Sequence, residues 1–514
     1  KIMKTAKRLV GMAVAAALLT GSGAQSHAAP VDITVKAPDF SFNSADHPNF
    51  TDGPATIRIG EDLAAGTRAG GTYTVNVTDE LKDGSKLMVF DHGSGYNFGT
   101  VTMNWKDLEI TDGDRFGVHM LNSSASFKDY VHNSKIKYTA GGNPWLNVNG
   151  IYVGSNAQLD IGNLTLDSII DATAGSSAFI AHNGIYAGAA GGVINVTGNV
   201  YINTNIPGGA QEAYDGEYGA GVAKNDAVSG KYGGVVNINV KPGTTEILDP
   251  SNVIQILGNI DVKDGAVNAA LSGADSFWYG SEVGGVEYDK TTHTYGDLRP
   301  TSRLSLSLAD GAQWVPDIMP IGDGGAGDSR AAVISAITLH RGGIVNMHGL
   351  NKHTDAALTV NELTIYNLTT DGGVFRIDAS GEKTDAAHRN GTDFVKIKAG
   401  SGAAYVQPLD SAKLEGVGAD NPVQFADAAA GVTFAALPET SGIEEGVLYD
   451  YEPIIAADYT GDASAFGRNW YFVDVKRHET PTADTAIAQA ALDYAVATAR
   501  LEIDSLNKRL GELR

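Results

Sequence analysis

Asn149-Gly150-Ile151-Tyr152-Val153-Gly154 returns further along the chain as Asn183-Gly184-Ile185-Tyr186-Ala187-Gly188, and each copy is followed by an alternating pair of strand-like runs. Gly162-Asn163-Leu164-Thr165-Leu166 likewise returns as Gly198-Asn199-Val200-Tyr201-Ile202, and in looser form as Gly258-Asn259-Ile260-Asp261-Val262. Gly191-Gly192-Val193-Ile194-Asn195-Val196 has its echo in Gly233-Gly234-Val235-Val236-Asn237-Ile238. Recurrence of whole strand-turn units every twenty to forty residues is the mark of a solenoid. In such a fold each coil hydrogen-bonds to the coils above and below, alternate residues stack into an apolar interior, and the others face water. Val, Ile and Leu then line the core, while Gly and Asn belong at corners because they tolerate left-handed backbone angles. The expectation is an all-β, right-handed parallel β-helix. Roughly 25 residues per coil would give about 18 coils and a rod of about 85 Å. A β-sandwich array would instead repeat near 100 residues, and no such unit is visible.

Outward from the repeats, residues 31–137 carry short alternating runs such as Thr72-Tyr73-Thr74-Val75-Asn76-Val77 and Lys86-Leu87-Met88-Val89-Phe90, bounded by Gly, Asp and Asn. These predict half-buried strands throughout, without assigning rungs. At 514 residues the chain exceeds one ordinary core, so several domains or one elongated repeat must be assumed. Its 63 glycines suit many tight turns, and the absence of cysteine excludes a disulfide framework, so stability must come from a long apolar core. A net charge of −23 repels nucleic acid and anionic lipid and keeps the chain soluble.

The chain opens with a basic stretch to Arg8, an apolar run Leu9 to Leu19, and Ser26-His27-Ala28-Ala29 with small residues at the usual cleavage positions. This pattern predicts a secretory signal over 1–28, cleaved after Ala28, with an apolar run too short for a permanent anchor. At the other end, Leu492, Val496, Ala499, Ile503, Leu506, Leu510 and Leu513 fall at spacings of four and three. They predict a helix with one apolar stripe, introduced by Thr480 and Pro481. Such a stripe serves equally a helix packed on its own domain, a coiled coil, or a linker.

The run Ser505-Leu506-Asn507-Lys508-Arg509-Leu510-Gly511-Glu512-Leu513-Arg514, after Asn469-Trp470-Tyr471-Phe472, resembles the junction of bacterial autotransporters, where a passenger meets its outer-membrane barrel. Between 303 and 472 a second resemblance, to pertactin-like passengers, rests on an ordered set of phrases. It runs Gly311-Ala312-Gln313-Trp314-Val315, Ala336-Ile337-Thr338-Leu339, Gly342-Gly343-Ile344-Val345-Asn346-Met347, Leu358-Thr359-Val360, Gly373-Val374-Phe375-Arg376-Ile377 and Gly391-Thr392-Asp393-Phe394-Val395-Lys396-Ile397. The resemblance implies a signal at 1–28, a β-helix passenger over 29–302, a C-terminal passenger region over 303–478 that folds first and templates the rest, and a helical linker over 479–514 into a barrel beyond this chain. It also implies an exported, monomeric surface protein of a Gram-negative-type bacterium, secreted if cleaved. Its partners would be its own barrel and host or cell-surface ligands, with no nucleic acid. The corresponding function is an adhesin or structural surface protein without catalysis or cofactor. The alternative is a carbohydrate-active β-helix enzyme, and a third reading makes 31–137 a functional tip on a spacer.

No phrase of catalytic chemistry is compelling, and the expectation is no catalytic, cofactor or metal residue. Asp91-His92-Gly93-Ser94 has the residue types of a triad, but sequence neighbours are rarely placed for proton relay. Gly327-Asp328-Ser329-Arg330 has an esterase-like Gly-Asp-Ser without the following Leu. The run 323–328, Asp323 to Asp328, is acidic and Gly-rich but is a single copy out of register with calcium-binding repeats. His340, His348 and His353 match no zinc spacing. Asp160, Asp167 and Asp171 are the carboxylates that a polysaccharide-cleaving groove would use, if coil register brought them together.

Overall fold

Apolar and polar residues alternate along the strands, and the alternation decides which way each side chain faces. In Thr72–Val77, Tyr73, Val75 and Val77 are buried while their neighbours are not. In Gln158–Asp171 the alternation slips once: Leu159 and Ile161 point in, Gly162 and Asn163 do not, and Leu164 and Leu166 point in again. Two outward residues in succession turn the strand from one leg of a coil to the next. A Cβ at Gly162 would lie 2.3 Å from the Lys128 carbonyl oxygen of the coil before, so the corner accepts only glycine.

In this computed structural model, residues 31–37, 39–47, 49–60, 71–78, 80–110, 113–139, 145–171, 179–189, 191–206, 223–289, 294–316, 319–320, 330–347, 362–381, 391–409, 411–437 and 450–478 are described. They form a large parallel β-solenoid. One wall is a nine-stranded parallel sheet that begins with Asp32–Val35, Thr56–Ile59, Ser85–Phe90 and Gly113–Met120. It continues through Trp145–Val153, Phe179–Gly188, Ala223–Lys231 and Asn259–Asp261 to Glu282–Val283. The remaining walls are stacked from strands such as Gly93–Ile110, Ser123–Tyr138 and Gln158–Asp171, then Arg303–Ala309, Glu362–Ile377 and Phe394–Pro408. A single apolar core runs from Val31 to Phe472.

The repeats stack in register. Asn149 pairs with Asn183, Ile151 with Ile185 and Tyr152 with Tyr186. Leu164 to Leu166 lie beside Val200 to Ile202, and Val193 to Val196 beside Val235 to Ile238. The looser third echo is misplaced: Asn259 belongs to the other wall beside Asp226, and it is Ile254–Leu257 that stacks on Val200. Coils are also longer than about 25 residues. Side chains bonded across neighbouring coils are mostly 28 to 36 positions apart, because continuous strands such as Gly93–Ile110 span two walls, so the coils are fewer than expected. Corners take the left-handed conformation expected of Asn and Gly, at Asn122, Asn156, Gly191 and Gly233 among others.

The described strands of 31–137 pair in parallel with one another and with the coils that follow, as part of the same solenoid. At the other end the pairing changes sense. Val423–Ala429 takes Gly467–His478 antiparallel, and that strand takes Asp450–Ala457, which closes the core with Trp470 against Phe434 (5.5 Å) and Phe472 against Phe425 (4.7 Å).

The fold class that included a C-terminal linker helix is corrected. Regular structure of the described residues ends in Gly467–His478. Among them the helical elements are 3-10 turns of three or four residues at Ser44–Asp46, Phe50–Asp52 and Ser411–Leu414. Residues 479–514 lie outside the described residues, as do 1–30 with the predicted signal. An apolar stripe reports local propensity alone, and tertiary packing supplies most of a helix's stability. Far-UV circular dichroism of residues 29–478 is therefore expected to be dominated by strand; a helix content near one third would be incompatible with the solenoid.

Candidate functional site

The carboxylates singled out above are structural. Asp160 accepts hydrogen bonds from the Gln158 side chain (3.0 Å) and from Asn195 Nδ2 (2.7 Å), and Asp167 accepts from Asn203 Nδ2 (2.8 Å). Each belongs to a ladder on the outer surface. Asn104 donates to Asn76 (2.9 Å) and Asn133 to Asn104 (3.2 Å), and Asp167 and Asn203 continue that line. Asn195, Asn237 and Asn268 form a second line rising from Asp160, each amide donating to the residue below at 2.7 to 2.8 Å. Asp171 ends its strand beside Lys137. A parallel stack brings identical positions together, so short amides and carboxylates satisfy one another from coil to coil.

The other candidates among the described residues are not assembled into chemistry either. Asp91 is held by Arg58 Nη1 at 2.7 Å, the His92 carbonyl accepts the Tyr96 hydroxyl at 2.9 Å, and Ser94 is exposed beyond them. His340 Nδ1 lies 3.4 Å from Asp371 on the surface. His348, His353, the acidic run 323–328 and Ser329 lie outside the described residues. Among the described residues, no group of three or more His, Cys, Asp or Glu could hold a metal ion.

Two polar clusters that the sequence reading missed lie inside. In the first, Trp105, Ser134, Ser168 and Thr204 occupy one register position on successive coils. Facing them, Gly117, Gly150 and Gly184 stack on the opposite wall, where added Cβ atoms would meet His132, Leu166 and Thr204. The space these glycines leave is filled by imidazole, hydroxyl and amide groups. Tyr130 hydroxyl meets His132 Nδ1 at 3.1 Å, His182 Nε2 meets Ser168 Oγ at 2.7 Å, Ser168 bonds Ser134, and Asn225 donates to the Thr204 carbonyl at 2.7 Å. Burial pushes His132 down to about 3, and burial with the neighbouring His132 does the same to His182. Both are neutral at physiological pH. Ser168 and His182 have the separation of a nucleophile and its base, but they are 2% and 1% exposed within the stacked core, so the pair serves packing and hydrogen bonding.

The second cluster is charged. Lys231, at the end of its strand, places Nζ 3.1 Å from Asp226 and 2.7 Å from Asp261, both carboxylates fully buried. The ammonium also lies 5.3 Å from the Tyr186 ring. Glu282, on the last strand of the nine-stranded sheet, is buried beside them and accepts the Ser335 amide. Burial, and then the Asp261 charge, raise its carboxyl to about 7 against the pull of the Ser335 bonds. Asp226 and Asp261 are offset in register, Asp226 beside Asn259 and Asp261 beside Ser229, so no repeat in the sequence joined them. None existed for Glu282, whose partner comes from 53 residues further along.

Comparison with known proteins returns no matching family and no similar curated protein.

Proposed function

We propose that the chain is the exported passenger of an autotransporter, displayed at the cell surface as an adhesive or structural solenoid that acts without catalysis. What carries the reading is the use made of the outer polar groups: Asp160 and Asp167 hold asparagines of the neighbouring coil, and do not face each other across a groove as glycoside cleavage requires. The signal-like 1–28, the ordered pertactin-like phrases over 303–472 and the absence of cysteine support export, since a chain crossing membranes unfolded is hindered by disulfides. Its partners on this reading are its own barrel and ligands on host or neighbouring cells, met by a monomeric rod. Fold alone does not decide function, because solenoids also carry carbohydrate-active sites. No helix among the described residues is long and apolar enough to cross a membrane, which says nothing about a barrel.

Two measurements test this. Replacing Leu18 and Leu19 by glutamate is expected to hold the protein in the cytoplasm, because the apolar run no longer partitions into the export machinery; unchanged export would show that 1–28 is not the signal. The purified protein is expected to bind cells or matrix while releasing no reducing ends from uronan, glucan or xylan. Release of oligosaccharides would replace the adhesive reading by the carbohydrate-active one.

A further inference from the structure

Lys231 ends the strand Ala223–Lys231, which lies parallel to Asn259–Asp261 of the next coil with Ser229 beside Asp261. Its Nζ is 2.7 Å from Asp261 Oδ2 and 3.1 Å from Asp226 Oδ2. Both carboxylates are fully buried, and the lysine side chain is 9% exposed. The other oxygen of Asp261, Oδ1, accepts the backbone amide of Lys263 at 3.0 Å. Asp226 Oδ2 also accepts the Ser229 hydroxyl at 3.4 Å, and the Tyr186 ring lies 5.3 Å from Nζ.

An amine, a carboxyl carbon and a second carboxylate held together away from water are the components of an amide condensation. In water, ammonium and carboxylate do not condense, because both ions are solvated and water is in excess. Inside the stacked coils those terms are reversed. Fixed geometry holds nitrogen and carbon together with the effect of a concentration of about 10⁵ to 10⁸ M. Buried charges carry a desolvation cost, and an amide removes both of them. Exclusion of water from the site then opposes hydrolysis of the product.

We propose that Lys231 and Asp261 condense after folding into an isopeptide bond that ties two adjacent coils together, with Asp226 as the proton carrier. A proton first passes from Nζ to Asp261 Oδ2 across the 2.7 Å contact, which gives a neutral amine and a neutral acid. The nitrogen lone pair then attacks Cγ. The carbonyl electrons move onto Oδ1, where the Lys263 amide stabilises them, and Asp226 takes a second proton from the nitrogen. Asp226 next gives that proton to the Oδ2 hydroxyl, the Cγ–Oδ2 bond breaks, and water leaves as Oδ1 regains its double bond. The third proton stays on nitrogen as the amide hydrogen. Nothing is oxidised or reduced, and no further reactant is needed. In a chain without cysteine the bond supplies a covalent tie between coils that a disulfide cannot, and it forms only once folding has set the register. The bond is independent of the surface role proposed above.

The test is mass spectrometry of the purified full chain, unfolded and digested with trypsin and a glutamate-specific protease. Cleavage after Lys224, Glu246 and Lys263 is expected to leave residues 225–246 and 247–263 joined in one branched peptide, lighter by one water than the two together. Cleavage after Lys231 is expected to be lost, since trypsin requires the free ammonium. K231R keeps a cation between the carboxylates without a nucleophilic amine, and D226N keeps a hydrogen-bonding side chain without a carboxylate to take the proton. Both are expected to give unlinked peptides while retaining the circular dichroism of the native chain. Unlinked peptides at full mass from the native chain overturn the proposal, whether or not either variant folds. A water loss confined to 225–246 overturns the assignment to Asp261, and a link that persists in D226N overturns the role of Asp226.

Discussion

Trp314→Ala is expected to lower stability by about 3 to 5 kcal/mol, the range for deleting a buried tryptophan side chain. The ring is fully buried and stacks on Trp278 of the preceding coil with centroids 5.3 Å apart and planes 10° from parallel. Each indole also donates across the core, Trp278 Nε1 to Gly258 O and Trp314 Nε1 to Gly280 O, both at 3.0 Å. Truncation thus leaves a cavity, an unstacked neighbour and an orphaned carbonyl together. Trp314→Phe keeps most of the contact and loses the donor, so a smaller cost of about 1 to 3 kcal/mol is expected. Since each coil is held by its neighbours, the damage should spread from 313–316 to the coils on either side before it reaches 32–59. Urea unfolding gives the size of the effect and limited proteolysis its place. A loss below about 1 kcal/mol, or cleavage beginning at the N-terminal coils, would contradict the packing argument.

That Trp278 and Trp314 stack was not legible beforehand, and the contrast with what was legible is instructive. The units around Asn149 and Asn183 are recognisable in the sequence because both walls of those coils repeat, with the same inward-facing glycines at Gly150 and Gly184. Where a coil carries an extra excursion, as between Val200 and Ile254, equal spacing fails and a look-alike such as Gly258-Asn259-Ile260 is assigned to the wrong wall. The outer ladders were hidden for a related reason: Asn104, Asn133, Asp167 and Asn203 are unremarkable until register aligns them. Interior polarity was harder still. His132, His182 and Lys231 interrupt the apolar alternation, and a reading by hydropathy sends them to the surface. They stay inside because the facing glycines leave room and neighbouring coils supply hydrogen-bond or ion partners. The clear helical period over 479–514 lies outside the described residues, among which the helical elements are 3-10 turns of three or four residues.

Those interior histidines set the second large expectation, a stability that peaks near pH 6.5 and falls towards acid. His132 and His182 are pushed down to about 3 by burial, and His119 to about 4 by burial and then Lys86. Unfolded, all three titrate near 6.5, so below that pH the unfolded chain binds protons that the folded chain refuses. Their contribution is complete above pH 6.5 and is lost as pH falls, by about 1.4 kcal/mol per pH unit for each proton. Two carboxyls act in the opposite sense. Glu282 is raised to about 7 from 4.5, and Asp393, chiefly by burial and then by Asp378, to about 8 from 3.8. Folded, each holds a proton that the unfolded chain gives up, so each contributes stability at low pH that is lost as pH rises to its folded value. Between 4.5 and 6.5 three protons are set against two, and a net loss of about 1.4 kcal/mol per pH unit on acidification is expected. Below 4.5 Glu282 no longer distinguishes the two states and the fall steepens; above 6.5 the histidines drop out, so stability declines with both carboxyls to pH 7 and with Asp393 alone, by about 1.4 kcal/mol per pH unit, to pH 8. Urea midpoints from pH 4 to 8 trace this curve. H132Q/H182Q keeps polar side chains against Tyr130 and Ser168 but removes two of the three protons, so its slope between 4.5 and 6.5 should reverse, with stability rising as pH falls. An acid slope unchanged in that variant would mean that the charge opposing the folded state lies elsewhere than in this core.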